Sequence, residues 1–171
     1  MFKFVKASAI LLAGLLFTGA AVAQTKVAVV NIQAAIMSTE KASSKINALK
    51  TSSEYSQLQN SAESIRAEVQ KMAEDAQKNG VTWSEEKKAE HQRKVNFKRS
   101  DFETAVKKLR AMEGQAVQDL QKDQLPKAKA VLEELIKERK LDLVLDATAA
   151  VYAGTNANLT EELVKRLNAA K

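Results

Sequence analysis

The 171-residue chain contains no cysteine, one proline and one histidine. Without cysteine there is no disulfide framework and no thiolate nucleophile, so stability must come from packing or assembly. No Ser-His-Asp arrangement or metal-ligand spacing can be put together from one histidine and no cysteine. That histidine, His91, stands among Lys87, Lys88, Arg93 and Lys94 and reads as a solvated side chain on a charged helix. The five glycines are scattered and form no phosphate-cradling loop. Acidic pairs such as Glu85-Glu86 and Glu133-Glu134 read as solvated helix faces. The expectation is a protein that is not an enzyme and holds neither cofactor nor metal.

Long apolar runs are also lacking. The one such run, Ala7 to Phe17, is far short of the roughly 20 residues that span a bilayer. Lys3 and Lys6 precede it, and Ala21-Val22-Ala23 follows as an A-x-A cleavage site. Residues 1–23 therefore read as a signal peptide cleaved between Ala23 and Gln24, with no cysteine to take a lipid anchor. The expected product is an exported chain, residues 24–171, forming one domain. Loss of Lys3 and Lys6, with no acid, takes the formal net charge from +6 to +4. Beyond the signal only Tyr55, Trp83, Phe97, Phe102 and Tyr152 remain as aromatics. So few large rings argue against a thick globular core.

What is present is a long helical pattern between two short strand-like ends. Lys26-Val-Ala-Val-Val-Asn-Ile32 and Leu141-Asp-Leu-Val-Leu-Asp146 read as strands, and Ala149 to Ala153 as a further short one. Tyr55, Leu58, Ala62, Ile65, Val69, Met72 and Ala76 step by three and four, the spacing of a coiled-coil seam. Upstream, Ala42, Ile46 and Leu49 keep a helical step but slip phase near Thr51 to Glu54. Asn79-Gly80 stops this helix, and Thr82-Trp-Ser-Glu85 restarts it as a capping box. The returning helix carries Val95, Phe102, Val106, Leu109, Ala116 and Leu120, interrupted by Arg99 and Glu113. Pro126 is expected to kink it and to act as a hinge between arm and body. A last helix opens at Asn158-Leu-Thr160.

The fold class that follows is mainly α with a small β body. A long antiparallel two-helix coiled-coil arm, about residues 36–135, projects from a short-stranded sheet made by residues 24–35 and 136–171. So small a sheet with open edges is marginal alone and is expected to oligomerise. Between Lys87 and Arg110 nine bases face three acids, a local excess of +6. Lys94, Lys98, Arg99, Lys107, Lys108 and Arg110, with Val81 and Trp83 at an apolar arm tip, are the candidate contacts to an anionic partner. Export and the absence of interleaved aromatics argue against nucleic acid, leaving acidic polypeptides or an anionic lipid surface.

Lys26-Val-Ala-Val-Val-Asn-Ile32, Leu141-Asp-Leu-Val-Leu-Asp-Ala-Thr-Ala-Ala-Val-Tyr152 and Leu159-Thr-Glu-Glu-Leu-Val-Lys165 resemble the ends of the OmpH-like (Skp) family of periplasmic chaperones. The resemblance implies a homotrimer, with Val27, Val29, Val30, Ile32, Leu143, Val144, Leu145 and Asp146 assembling its body. It implies an ATP-independent holdase that keeps unfolded outer-membrane β-barrel proteins in a cavity between the arms until membrane assembly. It also implies a lipopolysaccharide-binding patch on the returning helix, where Lys98, Lys107, Lys108 and Arg110 are the nearest bases and Leu109 stands where a further base would fall. The contrasting reading is a structural or adaptor coiled coil of the cell envelope that binds one folded partner.

Overall fold

The computed structural model describes residues 25–170, so the expected signal peptide lies outside the described residues. Val27–Val30 form β1, where three β-branched valines suit extended backbone. Asn31 ends it by turning its side chain back, accepting from the Ala34 N–H at 2.8 Å and capping α1, Ile32–Met37. Thr39 caps α2, Glu40–Lys50, and Ser52 caps α3, Ser53–Asn79, each accepting from the amide three residues on. A 3₁₀ turn over Gly80–Thr82 leads to α4, Glu85–Arg139. At about 1.5 Å per residue this 55-residue helix is roughly 80 Å long.

α4 ends at Lys140, which takes the left-handed conformation with φ 53°, the only non-glycine among the described residues to do so. The Leu141 N–H then reaches back to the Ile136 carbonyl at 3.0 Å, the 6→1 bond of a Schellman ending. This turn aims the chain into β2, Leu143–Asp146, which lies parallel to β1 with Val27 opposite Leu143 and Val30 opposite Asp146. On the other side of β1, Val29 donates to the Ala157 carbonyl and accepts from the Leu159 N–H, covering that edge. α5, Thr160–Ala169, closes the body.

The core sits where β1, α1, the start of α2, the end of α4 and α5 meet. Ala28, Val30, Ile36, Ala42, Leu120, Ala128, Leu132, Leu135, Leu159, Leu163 and Leu167 are buried there. Ion pairs rim it: Arg166 grips Glu138 and also reaches Glu162, Arg139 pairs with Glu162, and Lys41 meets Asp123 at 2.6 Å. Hydrogen bonding to Arg166 holds the Glu138 carboxyl below its ordinary pKa, and that to Lys41 does the same for Asp123. All these groups are exposed to solvent and contribute little beyond register.

The long hairpin follows the sequence pattern closely. On α3, Tyr55 and Ala62 are buried and Leu58, Ile65, Val69, Met72 and Ala76 half-buried, while most of the remaining helix is exposed. The phase slip near Thr51 is a true break between α2 and α3. On α4 the buried positions are Val95, Ala105 and Ala116, with Phe102, Leu109 and Met112 half-buried between them. Ala105 thus takes the central position assigned to Val106, which lies half-buried on the flank.

Four expectations are corrected. Ile32 opens α1 rather than extending β1, because Asn31 caps the helix one residue earlier. Ala149–Ala153 is not a strand: Ala147–Ala149 form a 3₁₀ turn started by the Asp146 side chain, and the sheet has two strands among the described residues. The cap of α4 is Ser84, not Thr82, and Gly80 keeps a right-handed φ of −59°. α4 runs unbroken through Pro126, whose ring faces solvent while Leu120, Ala128 and Leu132 are buried in the core. That packing offsets the hydrogen bond lost at the proline.

Leu163 is fully buried in this core. Leu163→Ala is expected to cost about 2–5 kcal/mol, from lost burial plus a residual cavity. Urea unfolding checks it, as a lower midpoint with an unchanged slope.

Candidate functional site

Among the described residues there is no group of three or more metal-binding side chains, and no helix long and apolar enough to cross a membrane. The features left to carry function are the outer surface of the arm and the open side of the body.

The arm is tied across its seam at three heights. At the tip, Trp83 is only 9% exposed: its ring lies 4.7 Å from that of His91, and the Lys87 ammonium sits 5.2 Å from the indole centroid. His91 Nε2 lies 3.0 Å from the Met72 carbonyl oxygen of α3. The single histidine is therefore a half-buried tie rather than a solvated side chain, and Trp83 is a staple rather than part of an exposed patch. Val81 alone keeps the tip apolar, at 93% exposure. Midway, Lys98 reaches across to Glu68 at 2.6 Å, and this hydrogen bond raises its pKa. Nearer the body, the Tyr55 hydroxyl donates to Glu113 at 2.6 Å.

These contacts sort the predicted bases. Lys98 is half-buried in the seam and Lys94 pairs with Glu90 at 2.6 Å on its own helix. Arg99, Lys107, Lys108 and Arg110 are exposed and, with Arg93, meet no carboxylate among the described residues. At 100° per residue they spread around the solvent side of α4 instead of forming one stripe. Phe97 stands among them at 71% exposure, beside a 390 Å³ hollow lined by Arg93, Asn96 and Ser100. Sequence reading did not single out Phe97. The signal was there, since it falls two residues after Val95 and five before Phe102, out of phase with the seam.

In the body the predicted assembly residues divide. Val29 and Val30 are buried within the chain, and Ile32 and Val144 are half-buried against its core. Val27, Leu143 and Leu145 are 43%, 46% and 41% exposed. Asp146 accepts from the Thr148 hydroxyl at 2.6 Å and its N–H at 2.8 Å, which holds its carboxyl below the ordinary value. Val151 and Tyr152, at 106% and 87%, are fully in solvent. β2 pairs on one side only, so its outer edge and an apolar patch lie open together.

A two-helix arm on a small α/β body is also the layout of known proteins. The family described as outer membrane protein (OmpH-like) matches residues 26–167. The chain belongs to the OmpH-like family. Its relatives include a Skp-like protein of Pseudomonas aeruginosa, 24% identical over 156 residues that cover 91% of this chain and 92% of that one. A crystal structure of an OmpH-like outer membrane chaperone from Caulobacter crescentus CB15 has a TM-score of 0.52 at 14% identity. The match covers 99% of this chain and 91% of that one, and at such identity it shows the shared fold. OmpH-like proteins are periplasmic, non-enzymatic chaperones of the outer membrane.

Trp83→Ala is expected to loosen the OmpH-like arm locally. Amide exchange near Met72 and His91 should quicken while the body core, around Leu135 and Leu163, keeps its protection.

Proposed function

We propose that this protein is a periplasmic, ATP-independent holdase that binds unfolded outer-membrane β-barrel proteins and prevents their aggregation until membrane assembly. The observation that carries the reading is the arm itself. Roughly 80 Å of helix encloses nothing, buries only a narrow seam, and turns a surface of unpaired bases and scattered apolar side chains outward. Such a surface offers an acidic, unfolded chain many weak contacts. Together they sum to tight net binding, while each one breaks easily, so release needs no nucleotide.

Assembly belongs to the same proposal. Val27, Leu143, Leu145, Val151 and Tyr152 beside the open edge of β2 give the body a surface that further copies would cover. A trimer joined there would hang three arms, about residues 43–119, from a body of residues 25–42 and 120–170, around a shared cavity. Val81, Lys94, Lys98, Arg99, Lys107, Lys108 and Arg110 would line or rim the contact surface, with Trp83 holding the tip in shape. Lipopolysaccharide would compete for the same bases.

Light scattering on dilution of a urea-unfolded outer-membrane β-barrel protein tests this reading. The protein should suppress aggregation without ATP and leave the folded barrel unbound. Replacing Arg99, Lys107, Lys108 and Arg110 by Ser should slow capture about tenfold at low salt, an effect that fades as salt rises. Capture that is independent of these four bases at every salt concentration would contradict the electrostatic part. Failure to suppress aggregation, with the helices intact, would favour an envelope adaptor for a folded partner.

A further inference from the structure

We propose that the arm carries a hinge of its own at the level of Tyr55 and Glu113, latched by one hydrogen bond between the two helices. Four features meet at this level. The outgoing helix is interrupted between Lys50 and Ser53, where Thr51 ends α2 and Ser52 caps α3. On the facing helix Gly114 occupies mid-helix, and a Cβ there would meet nothing within 4 Å. No packing demand explains a glycine at that position, and its effect on the helix is added backbone freedom. A break in one helix facing an unweakened partner would leave the pair stiff. A break facing a weak point makes a joint.

The third feature is the space beside the joint. On its body side a 480 Å³ groove opens between α2 and α4, floored by Ala48, Leu49, Ala111, Met112 and Ala116. Its alanines fill little of it, so α2 and α4 can change separation there without a clash. The adaptable Met112 side chain can follow the movement. The fourth feature is the latch. Tyr55 is 7% exposed, and its hydroxyl donates at 2.6 Å to the half-buried Glu113 carboxylate, a charge-assisted bond shielded by the seam. Beyond the joint the seam resumes with Leu58 and Ala62 on α3 and Ala105 on α4. By contrast Pro126 lies where Leu120, Ala128 and Leu132 anchor α4 in the core. The arm thus bends as two rigid pieces at Tyr55–Glu113, and the body moves with its own short stem.

The hinge is a property of the free protein and does not rest on the chaperone reading. A chain with no native cysteine accepts a spin-label pair at Val81Cys and Lys165Cys, measured by pulsed dipolar spectroscopy after dilution with unlabelled chain. Tyr55→Phe and Glu113→Ala should broaden the tip-to-body distance distribution. Glu113→Gln, which keeps an acceptor, should retain the original width. Gly114→Ala should narrow it, and Pro126→Ala should leave it unchanged. Widths unaffected by both Tyr55→Phe and Gly114→Ala, or narrowing by Pro126→Ala alone, would overturn the proposal. Hydrogen exchange of the unaltered protein gives a reading that needs no variant. Amides in residues 51–56 and 113–118 should exchange at least about fivefold faster than those in 62–72, and equal protection would overturn it.

Discussion

The parallel pairing of Val27–Val30 with Leu143–Asp146 is the constraint on which the rest of the structure depends. It joins segments more than a hundred residues apart; the Lys26 N–H meets the Asp142 carboxylate across a separation of 116 positions. Closing so long a loop would be slow if the loop were floppy, though its entropic cost grows only gently with length. Here the intervening chain folds back on itself as a hairpin, so zipping the α3–α4 seam brings the two strands together. The arm and the sheet therefore stabilise one another through topology, despite sharing little surface.

That arrangement divides the work of the sequence. Large buried aliphatics are concentrated in the body, where Ile36, Leu135, Leu159 and Leu163 are almost fully removed from water. The arm has only a half-buried seam and uses polar ties to hold register, one at each of three heights. Because the seam is narrow, most arm side chains are free of structural duty. The outward bases and Phe97 occupy that freedom. For a protein that holds many different chains, surface left uncommitted by folding is a resource.

Much of this was legible in the sequence, for physical reasons. The three-and-four spacing from Tyr55 to Ala76 leaves one solution for a helix face, and those residues form the seam. The break at Thr51–Ser52 showed as a phase slip, and the two ends of the chain carried a family resemblance that a match over residues 26–167 bears out. What misled was chemistry set by tertiary neighbours. His91 looked solvated among lysines until Trp83 and the Met72 carbonyl were brought beside it. Ala149–Ala153 has strand-like composition, but the Asp146 side chain captures the Thr148 amide and turns the chain first. Pro126 carries a strong local signal for a break, and packing of its neighbours on the opposite face overrides it. Val106 and Ala105 lie one residue apart, within the drift that a helix of 3.6 residues per turn allows.

The central claim is that an oligomer of these chains captures an unfolded β-barrel protein without fuel. Native mass spectrometry of the protein mixed with a urea-unfolded outer-membrane β-barrel, in the absence of nucleotide, tests it most directly. The account predicts a symmetric oligomer, expected as three copies, holding one client. A chain that stays monomeric, or an oligomer that binds the folded barrel as well as the unfolded one, would contradict it.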